Sequence, residues 1–277
     1  MNPSTRPDRQ EIIVTNLDQT KVLVDEKDHI LTITFNRPDK YNALDPESFR
    51  LLAKALYRLE HEHHLRVGII RANGKNFTSG LELDKWASIF AKGLNIEFAD
   101  DEISPYGKEG KLLSKPLICA VQGLCYTSGL ELLLNTEIRI ATADTRFAQL
   151  EVKRGIYACG GGTIKLQDEI GWSNAQRYLL TGDTFTAEQA LQWGMIQEIV
   201  PFEDLHQRAL ALATKIAKAA PLGVQASLHS SKLSRTQSQA IAFKHLDDEM
   251  PAIMASKDAQ EGVQSFLERR EAQFTGE

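Results

Sequence analysis

The chain has 277 residues and a formal net charge of −5, with 42% hydrophobic and 25% charged residues. This is an ordinary globular balance, long enough for a large core without disulfides or metals, and its acidity counts against a nucleic-acid surface. Residues 1–20 are polar, with no apolar signal segment, and no run of roughly eighteen apolar residues follows, so a cytoplasmic protein without a membrane span is expected. Cys119, Cys125 and Cys159 lie in small or apolar stretches without metal-ligand spacing, which points to reduced thiols.

Residues 1–20 lack periodicity and are expected to form a flexible arm. Val22 and Val24, then Leu31, Ile33 and Phe35, alternate on either side of a turn at 26–29, a β-hairpin pattern. Asp45-Pro46 has the form of an N-cap followed by a first-turn proline, and Phe49, Leu52, Leu56 and Leu59 share one helical face. Apolar runs at 67–70 and 117–121 read as buried strands, and 128–135 as a short helix. Ile138, Ile140 and Phe147 mark further strands. This alternation predicts an α/β core. Thr186 to Gln189 forms a capping box, with Gly194 as a stop. From Pro201 onward the pattern is helical, with Leu205, Ala209, Leu212 and Ile216 on one face and Val263, Phe266 and Leu267 on another. Between Gly93 and Gly110, Glu97, Asp100, Asp101 and Glu102 stand among few apolar anchors, and a solvated, mobile loop is expected there.

Two glycine-containing loops, 76–83 and 123–131, each follow a buried strand and lead into a helix. Small residues let the backbone approach a ligand, and a helix start offers unpaired N–H groups. One N–H from each loop could meet on a single oxygen. Losing one such donor from an oxyanion hole costs roughly 2.7–4 kcal/mol. Glu131 lies in the otherwise apolar segment 130–134, and Glu151 closes another apolar stretch. Two carboxylates in such surroundings have coupled, raised pKa values, suited to one acting as base and the other as acid. By contrast His61, His63 and His64 read as a solvated helix end rather than a metal site. Gly160-Gly161-Gly162-Thr163 lacks the Gly-Lys-Ser/Thr ending of a phosphate loop and reads as tight packing at a helix start.

These segments together resemble the crotonase (enoyl-CoA hydratase/isomerase) superfamily over nearly the whole chain. The resemblance is carried by the opening motif from Thr34-Phe35-Asn36-Arg37-Pro38 through Asn42-Ala43-Leu44, by 77–83, by 115–131, by 139–151 and by the ending 258–270. It implies a crotonase-like spiral of repeated ββα units over 21–200 and a C-terminal helical trimerisation region over 201–277. It also implies an acyl-CoA thioester substrate, no separate cofactor or metal, and a homotrimer or a hexamer built as a dimer of trimers.

By motif position the resemblance places oxyanion N–H groups on Leu81 and Ser128 and the hydratase glutamates on Glu131 and Glu151. Gly80 and Leu83 become substrate-binding candidates, and Lys40 a candidate contact for the CoA nucleotide. The acyl pocket is expected along 81–90 and the loop that follows. Five positions depart from the family pattern: Glu82 stands for aspartate, Ser128 for glycine, Tyr157-Ala158 for Ile-Pro and Cys159 for glycine. Hydration of a 2-enoyl-CoA is the leading reading. Double-bond isomerisation is the nearest rival, and a crotonase-fold binding protein, including RNA binders, is the reading from a different class.

Overall fold

A computed structural model describes residues 21–91, 96–108 and 112–277. The expected arm over 1–20 and parts of the 93–110 loop lie outside the described residues. The chain opens with β1 (Val22–Lys27) and β2 (Ile30–Phe35), joined through Asp28 and His29, both at positive φ, as a two-residue hairpin turn requires. Helix α1 (Pro46–His61) follows, its N-cap Asp45 accepting from Ser48 N at 2.7 Å. Then come β3 (Val67–Ala72) and α2 (Leu83–Phe90). Two successive ββα turns are built from β4 (Leu117–Val121), β5 (Leu124–Tyr126) and α3 (Ser128–Leu133), then β6 (Ile138–Ala141), β7 (Arg146–Ala148) and α4 (Gly162–Ile170). Helix α5 (Trp172–Thr181), β8 (Phe185–Thr186), α6 (Ala187–Gln192) and β9 (Glu198–Ile199) complete this part, and α7 (Leu205–Ala217), α8 (Pro221–Thr236), α9 (Gln239–Ala255) and α10 (Lys257–Glu268) form the helical end.

One sheet runs β1-β2-β3-β4-β6-β9, parallel from β2 onward, and a smaller sheet runs β5-β7-β8. Period two divides the large sheet into two faces. Ile70, Cys119, Val121 and Ala141 face the main core with Phe49, Leu52 and Leu56 of α1. Ile69, Ile118, Ala120 and Ile140 face α7, which meets them with Leu205, Ala209, Ala213 and Ala217. The alanines, four residues apart, bring α7 close to the sheet. This fold is the crotonase-like spiral expected from the sequence.

Three findings refine the sequence reading. The segment 96–108 is not a solvated loop, because Ile103 and Tyr106 are buried and Ile96 and Phe98 pack on the core. Its acidic Glu102 is also buried, ion-paired with Arg50. The second glycine loop contains a short strand, β5. The shared face of Val263, Phe266 and Leu267 exists, but it points to solvent in the single chain. Among the described residues no helix is long and apolar enough to cross a membrane.

Ala209 is fully buried beneath the sheet, whereas Ala211 on the same helix is exposed. Ala209→Leu is therefore expected to cost about 1–3 kcal/mol by overpacking, and Ala211→Leu less than about 0.5 kcal/mol. Urea denaturation of the two variants checks this, and equal midpoints would refute the packing described for α7.

Candidate active site

Strands β3 and β4 are parallel neighbours, so the loops leaving them emerge at the same edge of the sheet. They are stitched together there: Phe77 N–H donates to Gln122 O, Thr78 N–H to Leu124 O and Tyr126 N–H to Thr78 O, at 2.7–3.1 Å. Asn42 anchors the first loop by donating from Nδ2 to Asn73 O and Asn76 O at 2.9 and 2.8 Å. Leu81 forms an isolated parallel bridge with Leu44, in which Leu44 N–H donates to Gly80 O and Glu82 N–H to Leu44 O. In that pairing the N–H of Leu81 faces away from Leu44, and it has no partner among the described residues. Glu82 is held by Arg37, whose Nη1 lies 2.7 Å from its carboxylate.

The second loop turns at Thr127, whose N–H donates to Ala148 O at 2.8 Å. Its φ of 49° and ψ of −117° are unfavourable for a β-branched residue, at about 1–3 kcal/mol. The turn starts α3 at Ser128, whose first-turn N–H has no helical acceptor. Gly80 makes room for this arrangement: its φ is +102°, and a Cβ there would lie 1.8 Å from Thr127 Oγ1. The two loops are thus fitted to each other by a missing side chain.

Glu131, one turn into α3, is 4% exposed. Gly162 N–H donates to its Oε1 at 3.0 Å, and Gly160 N–H donates to the carboxylate as well. Gly160 approaches so closely that a Cβ would lie 2.5 Å from Glu131 Oε2. Burial nevertheless raises the Glu131 pKa to about 7, against these donors and the charges of Lys165 and Lys108. Glu151 begins the 3₁₀ turn Glu151–Arg154. Burial, with the Glu131 charge second, raises it to about 7 also. With its amide turned nitrogen-first, Gln149 donates to both Glu151 oxygens at 3.0 and 3.1 Å. Near neutral pH the pair therefore offers a carboxylate and a carboxylic acid in one place.

Leu81, Leu83, Ser128, Glu131 and Glu151 all line one cavity of about 250 Å³. Gly80 sits behind it, under Thr127. Lys40 is exposed on the 3₁₀ turn Pro38–Lys40 and is not among the cavity-lining residues. Phe90, Ile96 and Phe98 add an apolar wall, while Tyr106 and Cys159 add polar atoms near Glu131. Burial and the Glu131 charge push the Cys159 thiol up, so it stays neutral. The three cysteines are free. His61, His63 and His64 diverge: His61 stacks on Tyr57 and His64 turns to Glu26 and Glu62.

Sequence reasoning missed Tyr106, Gln149, Lys165 and the two glycine N–H groups on Glu131. Pro105-Tyr106-Gly107 was a readable turn signal for the first. The others meet only through the fold.

Two unengaged backbone N–H groups at a strand edge, beside the buried Glu131 and the half-buried Glu151, match the site expected of an acyl-thioester enzyme of crotonase type. The chain belongs to the enoyl-CoA hydratase/isomerase family, whose model matches residues 25–277. Enoyl-CoA hydratase EchA19 of Mycobacterium tuberculosis is 34% identical over 91% of this chain and 95% of its own length. (E)-benzylidenesuccinyl-CoA hydratase of Thauera aromatica is 32% identical over 92% and 99%. The crystal structure of enoyl-CoA hydratase EchA1 from Mycobacterium marinum aligns with a TM-score of 0.83 at 36% identity, covering 93% of this chain and 99% of that one.

Two outcomes follow from this geometry. Glu151 is neutral below its ordinary pKa and costs stability as pH rises through about 7, because its folded pKa lies above its unfolded value. Glu151→Gln should then be more stable than the parent at pH 8, by roughly 1–3 kcal/mol, with the gap closing by pH 5. Thermal unfolding across pH reads this, and a constant gap would contradict it. Separately, Gly80→Ala should lower kcat about a hundredfold or more by displacing the Leu81 N–H, and adding Thr127→Gly should restore part of the loss. No restoration would mean that the positive φ at position 80, rather than contact with Thr127, dominates the loss.

Proposed function

We propose that the protein is an enoyl-CoA hydratase, adding water across the 2,3 double bond of a 2-enoyl-CoA thioester. The observation that carries this reading is the pair of cavity-facing glutamates, both raised to about 7, beside two unengaged backbone N–H groups. The thioester oxygen would accept from Leu81 N–H and Ser128 N–H as C2 gains electron density, which lowers the barrier to an enolate. Glu131, as carboxylate, orients and deprotonates the water that adds at C3. Glu151, as carboxylic acid, delivers the proton to C2. Addition thus consumes one water, and the two carboxyl groups exchange protonation states until protons re-equilibrate.

The chemistry calls for no cofactor beyond the CoA carried by the substrate. An isomerase moves one proton between two carbons and needs only one carboxylate, so the second glutamate favours hydration. Hydratase names among relatives of about 30% identity support the reaction type without carrying over an acyl group. Retention of both glutamates and a net charge of −5 speak against an RNA-binding scaffold. The same reading carries a homotrimer or hexamer, in which the exposed Phe243, Met254, Phe266 and Leu267 are covered.

With crotonyl-CoA or a longer 2-enoyl-CoA, the conjugated absorbance should fall and the product mass should rise by one water. Glu131→Gln and Glu151→Gln should each lower kcat by about a hundredfold or more. The parent's kcat should follow a bell centred near pH 7, and its sedimenting mass should be three or six times that of the chain. A product of unchanged mass would assign isomerisation instead, and unaltered rates in both variants would end the hydratase reading.

A further inference from the structure

The Tyr106 and Ser128 hydroxyls meet in the wall of the active cavity, 2.6 Å apart. Tyr106 is 8% exposed, and its ring packs against Phe49 with centroids 5.2 Å apart. Its turn is held unusually firmly. Lys165 Nζ, itself largely buried, donates to Tyr106 O at 2.7 Å and to Asn135 Oδ1 at 2.6 Å. Asn135 Nδ2 in turn donates to Pro105 O at 3.0 Å. Burying a lysine is unfavourable, and here it lowers the Lys165 pKa to about 8. A buried cation and an amide are therefore committed to placing one tyrosine, and neither of them lines the cavity.

Two hydroxyls carry two donor hydrogens, and the bond between them uses one. No second acceptor serves the pair among the described residues. One O–H donor and free lone pairs thus remain for the cavity, beside the Ser128 N–H and close enough to Glu131 to feel its charge. Burial and that charge hold the phenol well above its ordinary pKa, so it stays protonated at working pH. Around it Leu83, Phe90, Ile96 and Phe98 form an apolar wall. A plain alkyl chain would leave the spare donor dry and unpaired, which is costly, whereas an oxygen on the chain would accept it. At Tyr106 the carboxylate charges that register are those of Glu131 and Glu151, which disfavours an anion at this spot even though Lys108 and Arg154 line the same cavity.

We propose that the Tyr106–Ser128 hydroxyl pair is a specificity element that reads an uncharged oxygen, a carbonyl or hydroxyl, on the acyl chain near its thioester end. The proposal rests on an acyl-CoA thioester occupying this cavity, so its primary test uses saturated thioesters, whose binding requires no turnover.

Isothermal titration would compare hexanoyl-CoA, 4-oxohexanoyl-CoA and adipoyl-CoA on the full chain and on Tyr106→Phe, which keeps the ring packing. The parent should bind 4-oxohexanoyl-CoA at least about tenfold more tightly than hexanoyl-CoA. Tyr106→Phe should erase that preference while leaving hexanoyl-CoA binding within about threefold. Equal binding of all three by the parent overturns the proposal, as does a preference for adipoyl-CoA, which would indicate an anion site. Hydration of hex-2-enoyl-CoA supplies the second readout. If Tyr106→Phe lowers kcat there without altering the binding preference, the pair positions the attacking water and the specificity role is wrong. If the parent hydrates nothing yet keeps the preference, the hydratase reading fails and the specificity role stands.

Discussion

The active cavity depends on a short backbone stitch, the pairing of Thr78 with Cys125 across two loops that leave neighbouring parallel strands. Because β3 and β4 run the same way, both loops emerge on one side, and the hydrogen bonds from Phe77, Thr78 and Tyr126 lock their mutual register. The N–H groups of Leu81 and Ser128 inherit their separation from that register. Side chains reinforce it: Leu124 N–H donates to Asn76 Oδ1 and Gln122 Nε2 donates to Gly74 O across the two loops, while Arg37 holds Glu82 and the Asn42 amide holds the first loop. A rigid backbone pair needs no reorganisation when charge develops on a thioester oxygen, which is where preorganised donors gain their advantage.

Around that stitch the chain tolerates two unfavourable features. Thr127 is held at a positive φ that glycine would adopt more readily, and Glu131 keeps a carboxylate almost out of water. The core and the ladder over-determine the first, as strained positions at functional sites require. For the second, the N–H donors of Gly160 and Gly162 supply partners 29 and 31 residues further on, yet burial still dominates. Glu151 reaches the same range by a different route, with less burial but with Glu131's charge added. Matching two differently supported carboxyl groups near neutrality is what lets one accept a proton while the other gives one.

How legible this was follows from where the determining contacts lie. The β1–β2 hairpin, α1 with its Asp45 cap and the buried strands β3 and β4 were readable because each is specified by residues within a few positions of one another. Glu131 and Glu151 stood out because carboxylates in apolar runs are anomalous locally. The segment 96–108 was misread because its anchors, Ile96, Phe98, Ile103 and Tyr106, follow neither a helical nor a strand period. Strands of two or three residues, such as β5, β8 and β9, carry too little pattern to detect and exist only through their partners. Lys165 looked like an ordinary residue of α4; only the fold brings it against Tyr106, 59 residues earlier.

The departures from the family pattern share one physical property. Glu82 changes a side chain that pairs with Arg37, Ser128 one that bonds Tyr106, and Cys159 one that presents a neutral thiol beside Glu131. None of them removes a backbone donor from the oxyanion pair or a carboxyl group from the cavity. On the proposed reading, stabilisation of the enolate falls to the main chain and the two glutamates, whereas the shape and polarity met by the acyl group fall to a second set, the side chains that line the rest of the cavity. The half-buried Lys165 and Asn135 behind Tyr106 support that second set, because their hydrogen bonds fix a wall of the cavity. Such a division separates the groups proposed to move protons from the walls proposed to meet the acyl group, which come from the segment 96–108 and the start of α3.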